Sequence, residues 1–163
     1  MVSEVIGTAL IMIATVVAAV ALINAVFPSI YGVSDSITAV TNNVNNQMKS
    51  EFMFIYESPD QSGNNLTAWV KNTGETQVAL SELNDSDLFI SNSNGVMQMA
   101  SLNATTQPNW TYAIENGNGD GQWDPGQTLE INLVTSQPFT QGSGYTIRLV
   151  MYNGAYCEDY FTA

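Results

Sequence analysis

The residues most able to do chemistry together lie in the segment 115–127, ENGNGDGQWDPGQ. Hard cations such as calcium are held by side-chain and carbonyl oxygens at fixed spacing around a sharp glycine turn. The segment follows the calcium-loop pattern D-x-[DN]-x-[DN]-G-x5-E in outline. Asn116, Asn118 and Asp120 take its first, third and fifth positions, and Gly121 takes the sixth. The carbonyl of Gln122 would serve at the seventh and Asp124 at the ninth. Two positions depart from the pattern: Asn116 stands where an Asp is wanted, and Gln127 where a bidentate Glu closes the site. Only Asp120 and Asp124 remain as charged ligands. Calcium is the one cofactor the pattern suggests. The alternative is a Gly/Asn turn that accepts positive φ between two strands.

Nothing else in the chain is arranged for catalysis. There is no His among 163 residues, which removes the commonest general base and metal ligand. A single Cys excludes an internal disulfide and any Cys-based zinc site. Cys157 has no basic neighbour in sequence and reads as an inert buried thiol. Neighbouring carboxylates such as Asp85/Asp87 and Glu158/Asp159 read as solvated charge. The chain lacks a P-loop, a G-x-G-x-x-G and a G-x-S-x-G. We therefore expect no enzyme. With three Lys+Arg against fifteen Asp+Glu, a net charge of -12 argues against nucleic-acid binding. A hydrophobic fraction of 45% with only 11% charged residues points to a membrane-linked or assembling protein.

Much of that apolar content is in residues 5–27, VIGTALIMIATVVAAVALINAVF, which carry no charge. As a helix rising 1.5 Å per residue, such a run crosses a hydrocarbon core of about 30 Å. The Met1-Val2-Ser3-Glu4 start has no basic flank, unlike a secretory signal, although Ala19-Val20-Ala21 imitates a cleavage site. Pro28 is expected to kink or end the helix. The helical period then resumes as a stripe of Ile30, Val33, Ile37, Val40, Val44 and Met48. That stripe suits a stalk packed on the following domain, or a helix packed on copies of itself. Small residues Gly7, Ala9, Ala14, Ala18, Ala19, Ala21 and Ala25 allow close helix approach. Glu4, near the helix start, suits the dipole at a membrane surface. In a bundle it would instead neutralise the N-terminal amine of a neighbouring copy.

From residue 52 the texture changes to short strands. Candidates are 52–56, 66–71, 78–80, 88–90, 96–99, 110–114, 129–134, 145–151 and 156–161, separated by Asn, Ser, Asp and Gly. Such runs predict an antiparallel sandwich of immunoglobulin-like size. The expected organisation is α+β: an N-terminal helix over 1–50 and a β-sandwich domain over 52–163. Lys49, Lys71 and Arg148 all lie beyond the hydrophobic run, so basic flanks give little orientation. Four N-glycosylation sequons, at Asn65, Asn84, Asn103 and Asn109, all fall in the β region. They place that domain outside the cell.

The start Ser3-Glu4-x-Ile6-x-Thr8-Ala9, the stretch Ala21-Leu22-Ile23-Asn24-Ala25 and Pro28-x-Ile30-Tyr31 resemble the archaellum protein family FlaG, also called ArlG. The resemblance continues in Met48-Lys49, Trp69-Val70-Lys71-Asn72-Thr73-Gly74, Ser86-Asp87-Leu88-Phe89-Ile90 and Asn109-Trp110-Thr111-Tyr112. It ends with Trp123-x-Pro125-Gly126-x-Thr128-Leu129 and Asn153-Gly154, so it covers nearly the whole chain. Gln127 departs from it, because the family leads us to expect Glu there. The resemblance implies a structural part of the archaeal motility filament, with a pilin-like plan and the β-sandwich outside the membrane. It implies self-assembly through the N-terminal helix, an unprocessed start, and action with a FlaF-type partner beside the motor. There the pair would link the static part of the motor to the surface layer.

Two roles follow as expectations. The first is an anchoring or stator component in the archaeal cell membrane, its β domain docking FlaF or the surface layer. The second is a filament subunit, an archaellin or type IV pilin-like protein whose helices form a continuous core. A glycan- or metal-binding module on a stalk is the remaining alternative.

Overall fold

The computed structural model describes residues 2–61, 63–91 and 94–163; Met1 lies outside them. The chain divides into two units, Met1–Asn43 and Val44–Ala163. The division falls inside a single helix.

Helix α1 spans Val2–Lys49, with Glu4 in its first turn and Lys49 in its last, the signs that suit the helix dipole. Forty-eight residues at about 1.5 Å each make it roughly 72 Å long. Pro28 lies inside it, so the expected break is absent and the helix runs through. Its hydroxyls turn back on the backbone: Thr8 Oγ1 donates to the Val5 carbonyl at 3.0 Å and Thr15 Oγ1 to that of Met12 at 2.8 Å. Those bonds satisfy the polar groups of an otherwise apolar segment, as a lipid or helix-bundle environment demands. No described residue of α1 is buried.

The second unit contains ten strands and a short helix. The strands are β1 (Phe52–Pro59), β2 (Asn65–Asn72), β3 (Val78–Ala79), β4 (Asp87–Ser91) and β5 (Met97–Leu102). After them come β6 (Asn109–Glu115), β7 (Gln122–Trp123), β8 (Thr128–Val134), β9 (Gly144–Val150) and β10 (Tyr156–Thr162). Helix α2, Leu80–Asn84, lies between β3 and β4. The strand order is β1-β2-β8-β6-β5-β4-β9-β10, with β3 and β7 as a separate pair. The order folds into two layers, β1-β2-β8-β6 as the first sheet and β5-β4-β9-β10 as the second. β5 passes between them. It pairs antiparallel with β4 through Leu88↔Ala100, then parallel with β6 through Ser101↔Asn109. The other described pairings are antiparallel. At the far edges β1 and β10 come together and nearly close the sandwich.

Alternation builds the core, because successive side chains of a strand face opposite sides. Leu66, Ala68 and Val70 of β2, Leu129, Ile131 and Leu133 of β8, and Tyr145, Ile147 and Leu149 of β9 all point inward and are buried. Leu88 and Ile90 of β4 complete the facing layer. The α+β architecture expected from sequence is present. Two local elements differ from expectation. Leu80 opens α2 instead of ending a strand, because the Glu82 carboxylate accepts the Ala79 amide at 2.9 Å and turns the chain. Gln122–Trp123 forms a two-residue strand paired with Val78–Ala79, too short to leave any periodic signal.

Candidate assembly surfaces

On the turns of α1, positions 7, 14, 18, 21 and 25 recur at spacings of seven, four, three and four. They therefore share one face. Gly7, Ala14, Ala18, Ala21 and Ala25 thus make a single small-residue seam, and Glu4 lies one turn before Gly7 on the same face. A Cβ added at Gly7 would meet nothing within 4 Å. The seam is open for another helix. The lower stripe is equally uncovered: Ile30, Val33, Ile37, Val40, Val44 and Met48 are all exposed. The helix is long and apolar enough to cross a membrane.

The end of α1, from Val44 onward, is built into the β unit. The Lys49 carbonyl accepts the Glu75 amide at 2.9 Å, and the Glu51 carbonyl accepts the amides of Thr73 and Gly74, both at 2.9 Å. Asn153 Nδ2 donates to Ser50 Oγ at 2.9 Å. Gly74 is required by contact, since a Cβ there would strike the Lys49 oxygen and the Glu51 nitrogen. Asn72, fully buried, organises the joint: its amide nitrogen donates to the carbonyls of Thr76 at 2.9 Å and Trp123 at 3.2 Å, and its Oδ1 accepts the Gly74 amide at 3.1 Å. Its backbone carbonyl accepts the Gly126 amide at 2.7 Å. Trp123, also fully buried, stacks on Phe52 with ring centroids 5.0 Å apart. The sequence motifs N-T-G and W-x-P-G are therefore two halves of one clamp on the helix end. The residue types signalled turns; nothing in their spacing signalled that the turns meet.

The segment 115–127 is a turn stitched by its own side chains. Asp124 Oδ1 accepts Gln77 Nε2 at 2.8 Å, and its Oδ2 accepts Asn118 Nδ2 and Gln127 Nε2, both at 3.2 Å. Asp120 Oδ1 accepts the Gln122 amide at 3.0 Å, and Asn118 Oδ1 the Asp120 amide at 3.3 Å. Gln127 Oε1 accepts the Asp124 amide at 2.9 Å. Asn116, with φ 57°, and Gly119 and Gly121, with φ 81° and 77°, supply the left-handed turns. The structure thus brings Asn118, Asp120, Gln122 and Asp124 together in a web of Asx-type bonds. Asn116 sets the bend at its start. Among the described residues, no group of three or more Asp, Glu or Cys is placed to hold a metal ion.

The β unit exposes two unlike outer faces. The first sheet presents Thr67, Lys71, Thr111, Thr128, Glu130 and Asn132, with Trp69 stacked under Tyr56 at 5.7 Å. Two sequon asparagines join this face, since Asn65 and Asn109 both register with Val134 from opposite sides. Asn103, exposed with φ 51°, follows β5. Asn84 closes α2, where its Oδ1 accepts the Tyr112 hydroxyl at 2.8 Å. The second sheet presents Met97, Met99, Phe89, Val150, Tyr156 and Tyr160 together with Asp87 and Thr146, around an Arg148–Glu158 ion pair. At the β1–β10 edge, Glu57 Oε1 is buried without a hydrogen-bond partner. Burial first, and the nearby Asp159 charge second, hold the Glu57 carboxyl above its ordinary range. Cys157 is buried as expected, and burial above all pushes its thiol up to about 12.

Comparison with known proteins agrees with this architecture. A protein of Archaeoglobus fulgidus with no assigned role is 33% identical over 166 residues, covering 99% of each chain. The archaellum periplasmic stator protein FlaG from Sulfolobus acidocaldarius superposes with a TM-score of 0.58 at 26% identity. That match covers 69% of this chain and 99% of FlaG. In the solved stator complex of FlaF and FlaG from the same organism, the matching chain gives 0.57 at 26% identity, covering 69% of this chain and 89% of that one. The archaeal flagellum of Methanospirillum hungatei strain JF1 matches in fold over 96% of this chain and 92% of its own, with a TM-score of 0.70 at 17% identity. The archaeal-type flagellin model spans residues 3–161, nearly the whole length. The chain belongs to the archaeal-type flagellin family and is a component of the archaellum.

Proposed function

We propose that this protein is a static, non-catalytic element of the archaellum, anchored and self-assembled through α1. Its β unit stands outside the cell membrane and docks an envelope partner, of FlaF type or the surface layer. The observation that supports this role is the likeness of the β unit to the stator protein FlaG, at 26% identity over 99% of that chain. The solved complex of FlaF and FlaG supports a FlaF-type partner. Mechanically, the helix fixes the chain, and the clamp of Asn72, Gly74 and Asn153 passes load from the helix end into the sandwich. A joint made of several short backbone hydrogen bonds resists torque better than a flexible linker.

The second reading is a filament subunit, its helix seam packed in a filament core. The full-length fold likeness to the M. hungatei flagellum favours it. Shearing surface filaments from the native cells separates the two. Retention of this chain in washed membranes, at low abundance, supports the anchor. Stoichiometric recovery in the sheared filaments overturns it and leaves the filament subunit.

A further inference from the structure

The sandwich is open along one side, where β1 and β10 come together without backbone pairing among the described residues. Each of these edge strands turns a carboxylate inward. Antiparallel partners share a face. Glu57, opposite buried Ala68, therefore points between the sheets, and so does Asp159, opposite buried Ile147. Glu57 arrives there through a bulge. Phe54 registers with Val70 and Tyr56 with Trp69, which leaves Ile55 as an extra residue. Ile55 and Tyr56 are both exposed, and the alternation that buries Phe52 and Phe54 resumes one residue out of phase. An unbulged strand would send Glu57 to solvent; bulges re-aim side chains in this way. The Glu57 Oε1 is buried with no hydrogen-bond partner, a costly position for a charged group.

We propose that Glu57 and Asp159 form a proton-operated latch on this open side: a neutral Glu57 lets β1 lie against β10, and two charged carboxylates part the strands. Among the described residues packed around Glu57, none is a cation that would relieve the charge. β2 brings Ala68 opposite it, flanked by inward Leu66 and Val70. β10 brings Asp159, with the Cys157 thiol and Phe161 at the adjacent inward positions. Arg148 and Glu158 pair with each other on the outer face of the second sheet. The sign follows from burial, which, ahead of the Asp159 charge, holds the Glu57 carboxyl above its ordinary 4.5 while the seam is closed. Opening admits water and returns the carboxyl toward that value. The closed seam therefore keeps its full stability below the ordinary value and loses it as pH rises through the closed-state one. One proton released per opening limits the change to about tenfold per pH unit. A free strand edge is a template for another strand, so the latch sets the pH at which β1 and β10 offer theirs. The inference concerns the β unit alone and does not rest on the anchoring role.

Cys157 is a built-in reporter, because it is buried on the inward side of β10, two residues from Asp159. Its reaction with 4,4′-dithiodipyridine is timed in the full chain in detergent, and in the same chain unfolded in guanidinium, at each pH. The folded thiol, pushed up to about 12, and the unfolded one both titrate far above pH 7, so their thiolate fractions scale alike and cancel in the ratio. The folded-to-unfolded rate ratio is expected to rise at least about threefold between pH 4 and pH 7. Glu57→Gln should hold the ratio at its pH 4 value throughout, and Asp159→Asn should reduce the rise. A ratio that does not rise, or one that rises equally in Glu57→Gln, overturns the latch. Hydrogen exchange of the wild-type chain, corrected for intrinsic rates, needs no variant. Protection of residues 52–59 and 156–162 should fall over the same range while that of 128–134 holds. Protection that falls evenly over all three strands means global loosening and overturns the latch, as does protection that stays unchanged.

Discussion

Helix α1 and the β unit use apolar residues in opposite ways. In the β unit, alternating strands turn Leu, Ile, Val and Trp inward, and Trp110, Trp123, Leu88, Leu129, Ile131 and Ile147 are fully buried. In α1 no described residue is buried, although its first half is almost wholly apolar. A surface of that size is not stable in water. The sandwich completes its own core, and the helix requires a lipid, a neighbouring helix or both. Folding and assembly are therefore separable in this chain, and substitutions should divide cleanly between the two.

The largest expected effect is on the sandwich. Trp123→Ala should cost the β unit about 3–5 kcal/mol, because it empties a fully buried site stacked on Phe52. A thermal melt would show the loss, while membrane retention of the chain stays as before. Ala14→Arg is the converse. It places a charge in the middle of the seam and should cost insertion or assembly about 3 kcal/mol, roughly a hundredfold. The melt of the β unit should not move. A β melt that follows the helix variant would mean the two regions are coupled.

The joint between them gives an intermediate effect. A fragment starting at residue 52 lacks Lys49, Ser50 and Glu51, which make four hydrogen bonds to the turns at 73–75 and to Asn153. It should be about 2 kcal/mol less stable than a fragment starting at Val44, by denaturant titration. Asp124→Ala removes the acceptor of three side-chain amides and should cost about 1–2 kcal/mol. If that loss and the wild-type melting temperature are both indifferent to millimolar calcium, the segment is a structural turn. A calcium-dependent rise in the wild type alone would give it a metal.

The smallest effect is at Glu57. Its folded-state carboxyl lies above the ordinary 4.5, raised by burial and then by the charge of Asp159. The folded state thus prefers the protonated acid. Stability from this group is complete below the unfolded value and is lost as pH rises through the folded one. Glu57→Gln should therefore raise the melting temperature slightly at pH 7 and leave it unchanged near pH 4. A gain that persists at pH 4 would refute the charge explanation.

Much of the fold is legible in the sequence because its signals are periodic. Residues 5–27 are uninterrupted and apolar, and β2, β8 and β9 alternate cleanly. What fails is local and short. Pro28 suggests a break, yet a helix with strong segments on both sides carries through one missing hydrogen bond. α2 depends on one carboxylate reaching back to Ala79, and β7 on a two-residue pairing with distant Val78. The small-residue face of α1 was half legible. Small residues announce a close-packing helix, but the helical turn is needed to align Gly7, Ala14, Ala18, Ala21 and Ala25 on one face. The clamp was hidden because Asn72, Trp123 and Asn153 are far apart in sequence. Their chemistry depends on carbonyls that only the fold supplies.

The separation of folding from assembly is tested most directly by comparing the fragment 44–163 with the full chain at equal concentration. Melting and sedimentation would be measured on both. The fragment is expected to melt cooperatively as a soluble monomer at micromolar concentration. The full chain should show the same β transition but sediment as oligomers or partition into vesicles. A fragment that fails to fold without α1, or a full chain that stays monomeric and out of the membrane, would contradict it.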